Sequence, residues 1–392
     1  MVLAGGGAFG AYGLGVMRAL FNGRWKYGTE GVVRPTIFSG TSVGAFNAAV
    51  MVAACNSNPL DAVRQTQEIW LDRIAHDFHH PNGVFRLRGN PREYLRTSQS
   101  LAHDLRVLAE HWIQRSFSVG LSKDPRLTKL LRLFDLNDLV SALPLKRLVA
   151  EVIAPERILR RSAHTLRLIT TEWNSGRALV FTNRFDTRPA RQPTEFNLVP
   201  INPTNLHAAI LGSAAVPGFL PPVHLDSKIL VDGGVLLNAP LQPAINAGAS
   251  VLHVIHLRPE PLPIPLGRSG SAWESLERIM VTVPSALLDK SMWVLRRQEK
   301  SRQVAQVMAR WLGKGSSPPA GSSDHELLET VAKKVLARQP LTIHRYAPGQ
   351  LTTRLQGMWN FNRDWLIELI EMGFTDAVEH DCETSGCLIP DG

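Results

Sequence analysis

"GTSVGAFNAAV", residues 40–50, sets one serine between two glycines and runs straight into small apolar residues. The stretch that leads into it, "TIFSG" (36–40), reads as a short buried strand, and "VGAFNAAVMVAAC" (43–55) as the helix that leaves it. Between a strand and a helix, G-x-S-x-G is a tight turn. Gly40 and Gly44 let the two elements pass without a Cβ between them, and Ser42 is held on a strained backbone with its hydroxyl at a helix N-terminus. Free N–H groups and the helix dipole there favour developing negative charge. The pattern therefore suits a nucleophile, although a packing turn with an incidental serine would look the same in isolation.

Thirty residues upstream, "MVLA" is a first short strand and "GGGAFG" (5–10) the turn after it, followed by a helix over about 10–22. Consecutive glycines after a strand offer a row of backbone N–H groups, which can serve as an oxyanion hole or a phosphate cradle. Gly5, Gly7 and Gly10 also spell G-x-G-x-x-G. A dinucleotide site would then need an acidic residue at the end of the second strand. The serine turn stands there instead, and Glu30 falls in "YGTEG", a loop. Two strand–turn–helix units within 55 residues predict an α/β fold built on a parallel sheet.

A serine needs a base. His253 and His256 lie in an apolar strand, where a core histidine is the plainer account, and His224 follows "FLPPV". "VDGG" (231–234) places Asp232 at the end of a buried strand, where hydrogen bonds must offset its desolvation. Burial raises the pKa of such a carboxylate and makes it a better base. An ordinary D-G turn is the bland reading of the same residues.

"GGGAFG", "GTSVG" and "DGG", in that order and with the serine so early, resemble the patatin-like phospholipase family. "GSAAVPGFLPPV" (212–223), "DGGVLLNAPLQPAINAGA" (232–249) and "NRDWLIELIEMGFTDA" (362–377) resemble its supporting blocks, so the likeness spans about 2–380 and is weakest over 56–165. The resemblance implies a three-layer α/β/α sandwich around a mainly parallel sheet, and acyl-ester hydrolysis of lipids with no cofactor and no metal. It also implies a Ser–Asp dyad without histidine: Ser42 as nucleophile, Asp232 as base, and Gly5, Gly6 and Gly7 as the oxyanion hole. Gly10, Gly40, Gly44, Gly233 and Gly234 complete the motifs. Phe9 stands where the family often has Arg or Lys. An acyltransferase or a non-lipid carboxylesterase would use the same dyad, and a dead hydrolase fold kept for binding would have no need of an intact Ser42 and Asp232.

The rest of the chain sets bounds. With 392 residues, 44% hydrophobic and 20% charged, it is globular. A formal charge of +9 favours anionic partners, but no nucleic-acid-reading motif accompanies it. Three cysteines (Cys55, Cys382, Cys387) make no disulfide framework; the last two could bridge, no Cys/His set with metal spacing stands out, and a reducing, cytoplasmic compartment is expected. The N-terminus lacks the charged segment of a signal peptide, and no run is long and apolar enough to span a membrane. One hydrolase domain is expected over 1–385, with a helical insertion at about 57–165, a flexible linker at about 313–324 and a tail at 386–392. Trp70, Trp112, Trp273, Trp293 and Trp311, interspersed with arginine, would suit peripheral contact with a membrane, or else core packing. Nothing in the sequence indicates an oligomeric state.

Overall fold

The computed structural model describes residues 1–25, 31–55, 58–77, 81–87, 140–159, 163–185, 195–256, 272–312, 323–337, 339–348 and 358–390. The chain opens with β1 (Val2–Leu3), α1 (Gly10–Phe21), β2 (Ile37–Thr41), α2 (Val43–Ala54) and α3 (Pro59–Ile69). A two-stranded ribbon, β3 (Arg86–Leu87) with β4 (Val140–Ser141), leads to α4 (Leu143–Val152) and α5 (Pro155–Leu159). Then come β5 (Thr165–Glu172), β6 (Arg177–Thr182), β7 (Phe196–Pro200), α6 (Leu206–Ser213), β8 (Val223–Leu225) and β9 (Lys228–Asp232). The chain continues through α7 (Gly234–Leu237), α8 (Leu241–Asn246), β10 (Val251–Ile255), α9 (Ala272–Leu312), α10 (Ser323–Leu336), β11 (Thr342–Tyr346) and α11 (Arg363–Val378).

One sheet organises these elements, in the order β11-β10-β1-β2-β5-β6-β7, with β9 also on β5 and β8 on β9. The pairings from β11 to β5 are parallel, as is β6 with β7; β5–β6, β5–β9 and β8–β9 are antiparallel. Side chains alternate across a strand, and the cores follow that rule. Leu3 and Ile255 face the larger core with α1–α6 and α11, whereas Val2, Val254 and Ile343 face a second core with α8 and α9. The result is the expected three-layer α/β/α sandwich around a mostly parallel sheet.

Several expectations shift. "LHAAILGSAAVP" (206–217), whose pattern predicts a helix ended by Pro217, is helical only to Ser213, and beyond it the Ala215 carbonyl accepts from the Asp232 N–H (2.9 Å). β7 and β8 were not foreseen: one ends on a proline and the other has only three residues. Of the segment expected as a helical insertion, 57, 78–80, 88–139 and 160–162 lie outside the described residues, as do Trp112 and most of the expected linker. The described ends of that insertion belong to the main core through Val63, Leu148 and Ile158. Trp70 is wholly buried, donating from Nε1 to Asn47 Oδ1 (2.9 Å), so it packs rather than meeting a membrane. Cys382 and Cys387 are free thiols rather than a bridge. Folding also gathers them with His344 and His380, a Cys/His set that linear spacing concealed. Leu388, in the stretch expected as a tail, exchanges both backbone hydrogen bonds with Ile343 on the sheet edge. No helix among the described residues is long and apolar enough to cross a membrane.

α1 and α11 pack almost backbone to backbone. A side chain on Gly15 would collide with the Ile370 carbonyl, and one on Gly373 with the Tyr12 carbonyl. Tyr12 Oη donates to Asp376 Oδ2 (3.0 Å), and Arg18 pairs with Glu371 (2.7 Å) along the same seam. Gly15→Ala or Gly373→Ala should therefore lower stability by about 1–3 kcal/mol. Urea unfolding measures this, and an unchanged midpoint in both variants would contradict the packing described.

Candidate active site

The site is assembled on one edge of β5. β2 pairs with residues 165–169 of that strand, its last partners being Thr41 and Ile169. β9 then takes over, pairing Asp232 with Thr170. The end of the second strand and the end of the ninth thus face adjacent residues of one strand, and Ser42, the residue after Thr41, lies beside Asp232. The Ser42 hydroxyl is near enough to the Asp232 carboxylate to favour its charged form, and both line one cavity.

Ser213 ties the serine turn to β5. Its Oγ donates to the Ile169 carbonyl (2.5 Å) and accepts from the Ser42 N–H (2.8 Å). That bond holds the Ser42 backbone at φ 56°, a value that costs a non-glycine residue about 1–3 kcal/mol. The two glycines of the turn are explained by contact. A Cβ on Gly40 would strike the Gly44 carbonyl, and one on Gly44 would strike the Leu3 carbonyl. α2 starts immediately after Ser42, which puts the hydroxyl at a helix N-terminus as the sequence pattern required.

Asp232 is buried, 4% exposed. Burial pushes its pKa up to about 6, while the nearby Ser42 hydroxyl and the Gly234 N–H bond to Oδ1 (2.6 Å) partly oppose the rise. Thr171 Oγ1 fixes the Asp232 backbone carbonyl (3.1 Å). Gly233 and Gly234 are needed for space: a Cβ on the first would meet the Ile169 carbonyl, and one on the second would come within 2.9 Å of Asp232 Oδ1 and of Asn238 Oδ1.

The glycine loop lies opposite. Gly5 directs its N–H to the Asn238 carbonyl (3.3 Å), and Ala8 directs its own to the Met358 carbonyl (2.8 Å). Among the described residues, the Gly6 and Gly7 N–H groups make no hydrogen bond. Of the three glycines expected to bind an oxyanion, these two are the ones whose N–H groups have no partner among the described residues. Gly10 packs on Val43 and Trp70, and its carbonyl accepts from Asn47 Nδ2 (3.0 Å), which ties the loop to α2.

The histidines take other places. Burial, with His344 beside it, lowers the pKa of His253 well below the usual value, and its Nδ1 lies 3.1 Å from the Tyr346 hydroxyl. His256 reaches the cavity wall but accepts from Arg345 Nε (3.4 Å). His224 is exposed on β8. Sequence reasoning missed Ser213, Asn238 and Asn47. Ser213 stands in "GSAAVP", quoted only as part of a supporting block, and nothing local marks the other two.

A cavity of about 290 Å³ opens over Ser42, Asp232 and the glycine loop. Its walls are apolar, with Phe46, Leu145, Leu220, Leu288, Met358 and Trp359 among them. The arrangement sets a hydroxyl and a buried carboxylate at the floor of a greasy pocket beside the backbone N–H groups of the glycine loop, a geometry suited to acyl transfer.

Burying a carboxylate costs stability. The folded pKa lies above the unfolded one, so the folded state takes up the proton first. Stability is then greatest below the unfolded value near 4 and falls as pH rises through about 6. Asp232→Asn keeps the shape and an oxygen to accept from the Gly234 N–H, removes the charge, and replaces the other acceptor with an N–H donor. It should stabilise the fold by about 1–3 kcal/mol at pH 8 and by almost nothing at pH 4. Equal or lower stability of the variant at pH 8 in denaturant titrations would contradict the burial argument.

The family model described as patatin-like phospholipase matches residues 1–245, more than half of the chain, from β1 into α8. That span contains the glycine loop, the serine turn and Asp232. No curated protein matches the chain. The chain belongs to the patatin-like phospholipase family and is a lipid acyl hydrolase.

Proposed function

We propose that this enzyme hydrolyses acyl esters of phospholipids, in the manner of a phospholipase A or a lysophospholipase, with Ser42 and Asp232 as a catalytic dyad. The observation that carries the reading is that two strand ends meeting on β5 bring Ser42 and buried Asp232 together at the floor of one apolar cavity. Ionised Asp232 takes the Ser42 proton as Oγ attacks the ester carbonyl. The N–H groups of Gly6 and Gly7 stabilise the oxyanion, worth about 10²–10³ in rate per donor in comparable sites. Asp232 then gives its proton to the departing alcohol oxygen, leaving an acyl-serine. Water attacks that ester, its proton passes to Asp232 and on to Ser42 Oγ, and the fatty acid is released. The apolar walls would hold the acyl chain.

A peripheral membrane contact fits the same reading. Ile279 and Val283 lie one turn apart on α9, line the cavity and are 56% and 43% exposed. Trp293 and Trp311 are exposed farther along this helix, with the Arg297 guanidinium over the Trp293 ring at 4.4 Å. An apolar rim continuous with the cavity is a path from a lipid surface to Ser42, and the net positive charge favours anionic headgroups.

Three outcomes are expected. Ser42→Ala and Asp232→Asn should each lower release of fatty acid from phospholipid by at least about 10³-fold with the fold intact; full activity in either ends the proposal. In the wild type, kcat/KM should rise with pH through about 6 and then level, as Asp232 ionises, whereas a flat profile from pH 4 to 8 would remove Asp232 as the base. Sedimentation with anionic liposomes should carry the protein down, and Ile279→Glu with Val283→Glu should leave more of it in the supernatant. Equal, negligible sedimentation with neutral and anionic liposomes would remove the membrane contact.

A further inference from the structure

The outer edge of the sheet carries a second cluster of reactive side chains. His344 lies at the centre of β11, His380 follows α11, and Cys382 and Cys387 flank the turn after it. One donor atom from each of the four falls within 4.8 Å of the others. Cys382 Sγ is 3.5 Å from His344 Nδ1 and 3.6 Å from His380 Nε2, and Cys387 Sγ is 3.4 Å from His380 Nε2. Tetrahedral zinc, with Zn–S of about 2.3 Å and Zn–N of about 2.0–2.1 Å, sets sulfur and nitrogen about 3.5–3.6 Å apart. Isolated S–H···N bonds have similar lengths, but pairs of such bonds do not require four donors to converge on one point. A cation does.

From this convergence we infer that His344, His380, Cys382 and Cys387 form a structural zinc site. Two thiolates and two imidazoles are the donor set that selects zinc among the common divalent ions. Four protein ligands close the coordination shell, so the site takes no substrate. Both thiols lose their protons to solvent when the ion binds.

The surroundings support the ligands. The Arg345 N–H points at Cys387 Sγ (3.3 Å), and Ser385 Oγ lies 3.4 Å from His380 Nδ1, the ring nitrogen turned away from the thiols. Such outer contacts orient a ligand and set its tautomer. Asp381 shapes the turn by accepting from the Glu383 and Thr384 N–H groups (2.9 and 3.0 Å), and the Cys387 N–H closes on the Cys382 carbonyl (2.9 Å). Both histidines are buried.

Register separates this cluster from Ser42. Leu3, Ile255, Tyr346 and Gly40 lie in one row across the sheet. His344 is two residues before that row and Ser42 two beyond it, at opposite ends of the strands and three strands apart. At about 3.3 Å per residue and 4.8 Å per strand, the two sites are about 20 Å apart. Zinc there would pin the end of α11 and the stretch through Leu388 against β11, covering an otherwise open sheet edge.

The test uses the full chain, expressed with zinc and purified without chelator. Elemental analysis should find about one zinc ion per chain. Cys387→Ser and His344→Ala should lose most of it, and Cys55→Ala should keep it. Cobalt loaded into the stripped wild type should show thiolate-to-cobalt charge transfer and the intense visible bands of a tetrahedral ion, which decides the matter even if a variant fails to fold. Zinc-free protein whose cobalt form lacks those bands would overturn the inference, whether its thiols are free or joined in a disulfide, and so would stoichiometric zinc that survives both ligand variants.

Discussion

Everything at the candidate site depends on β5 being longer than the strand beside it. β2 occupies one edge of β5 as far as Ile169 and stops, because the chain must turn at Ser42. The exposed remainder of that edge, from Thr170 onward, is filled by β9 arriving from the opposite direction. Two strands that end nose to nose on a third bring residues 42 and 232 together. A register slip of one residue in β9 would turn Asp232 to the other face of the sheet. Ser213 guards the junction by bonding to the Ser42 N–H and to the Ile169 carbonyl of β5.

The fold bears a cost at this junction. Ser42 sits at positive φ, and Asp232 is a carboxylate sealed from water with its pKa raised to about 6. Neither would persist without compensation, and the compensation is local: the Ser213 bridge, the Gly234 N–H, and glycines that let backbones touch. Strain and desolvation are also what make a hydroxyl and a carboxylate reactive. The same pair that destabilises the resting protein is the pair assigned to the chemistry.

How much of this was legible in the chain depended on distance along it. The serine turn and the glycine loop could be read because every requirement of a strand–turn–helix lies within a few residues. Asp232 was ambiguous as a D-G turn, and only its company with the other motifs singled it out. Ser213 and Asn238 were illegible, since their partners are set by strand register and not by spacing. The histidine–cysteine cluster was hidden for the same reason: His380, Cys382 and Cys387 are close in sequence, but the fourth member comes from β11. Trp70 suited either a membrane surface or core packing in the sequence, and the core beneath α2 took it.

Covalent capture tests the central claim most directly. A fluorophosphonate reagent reacts with a serine only when a neighbouring base activates it and an oxyanion site receives the phosphoryl oxygen. Peptide mass mapping of the treated protein should place the adduct on Ser42 and on no other serine, and Asp232→Asn should abolish it. An adduct on a different residue, or undiminished labelling of Ser42 in Asp232→Asn, would contradict the account.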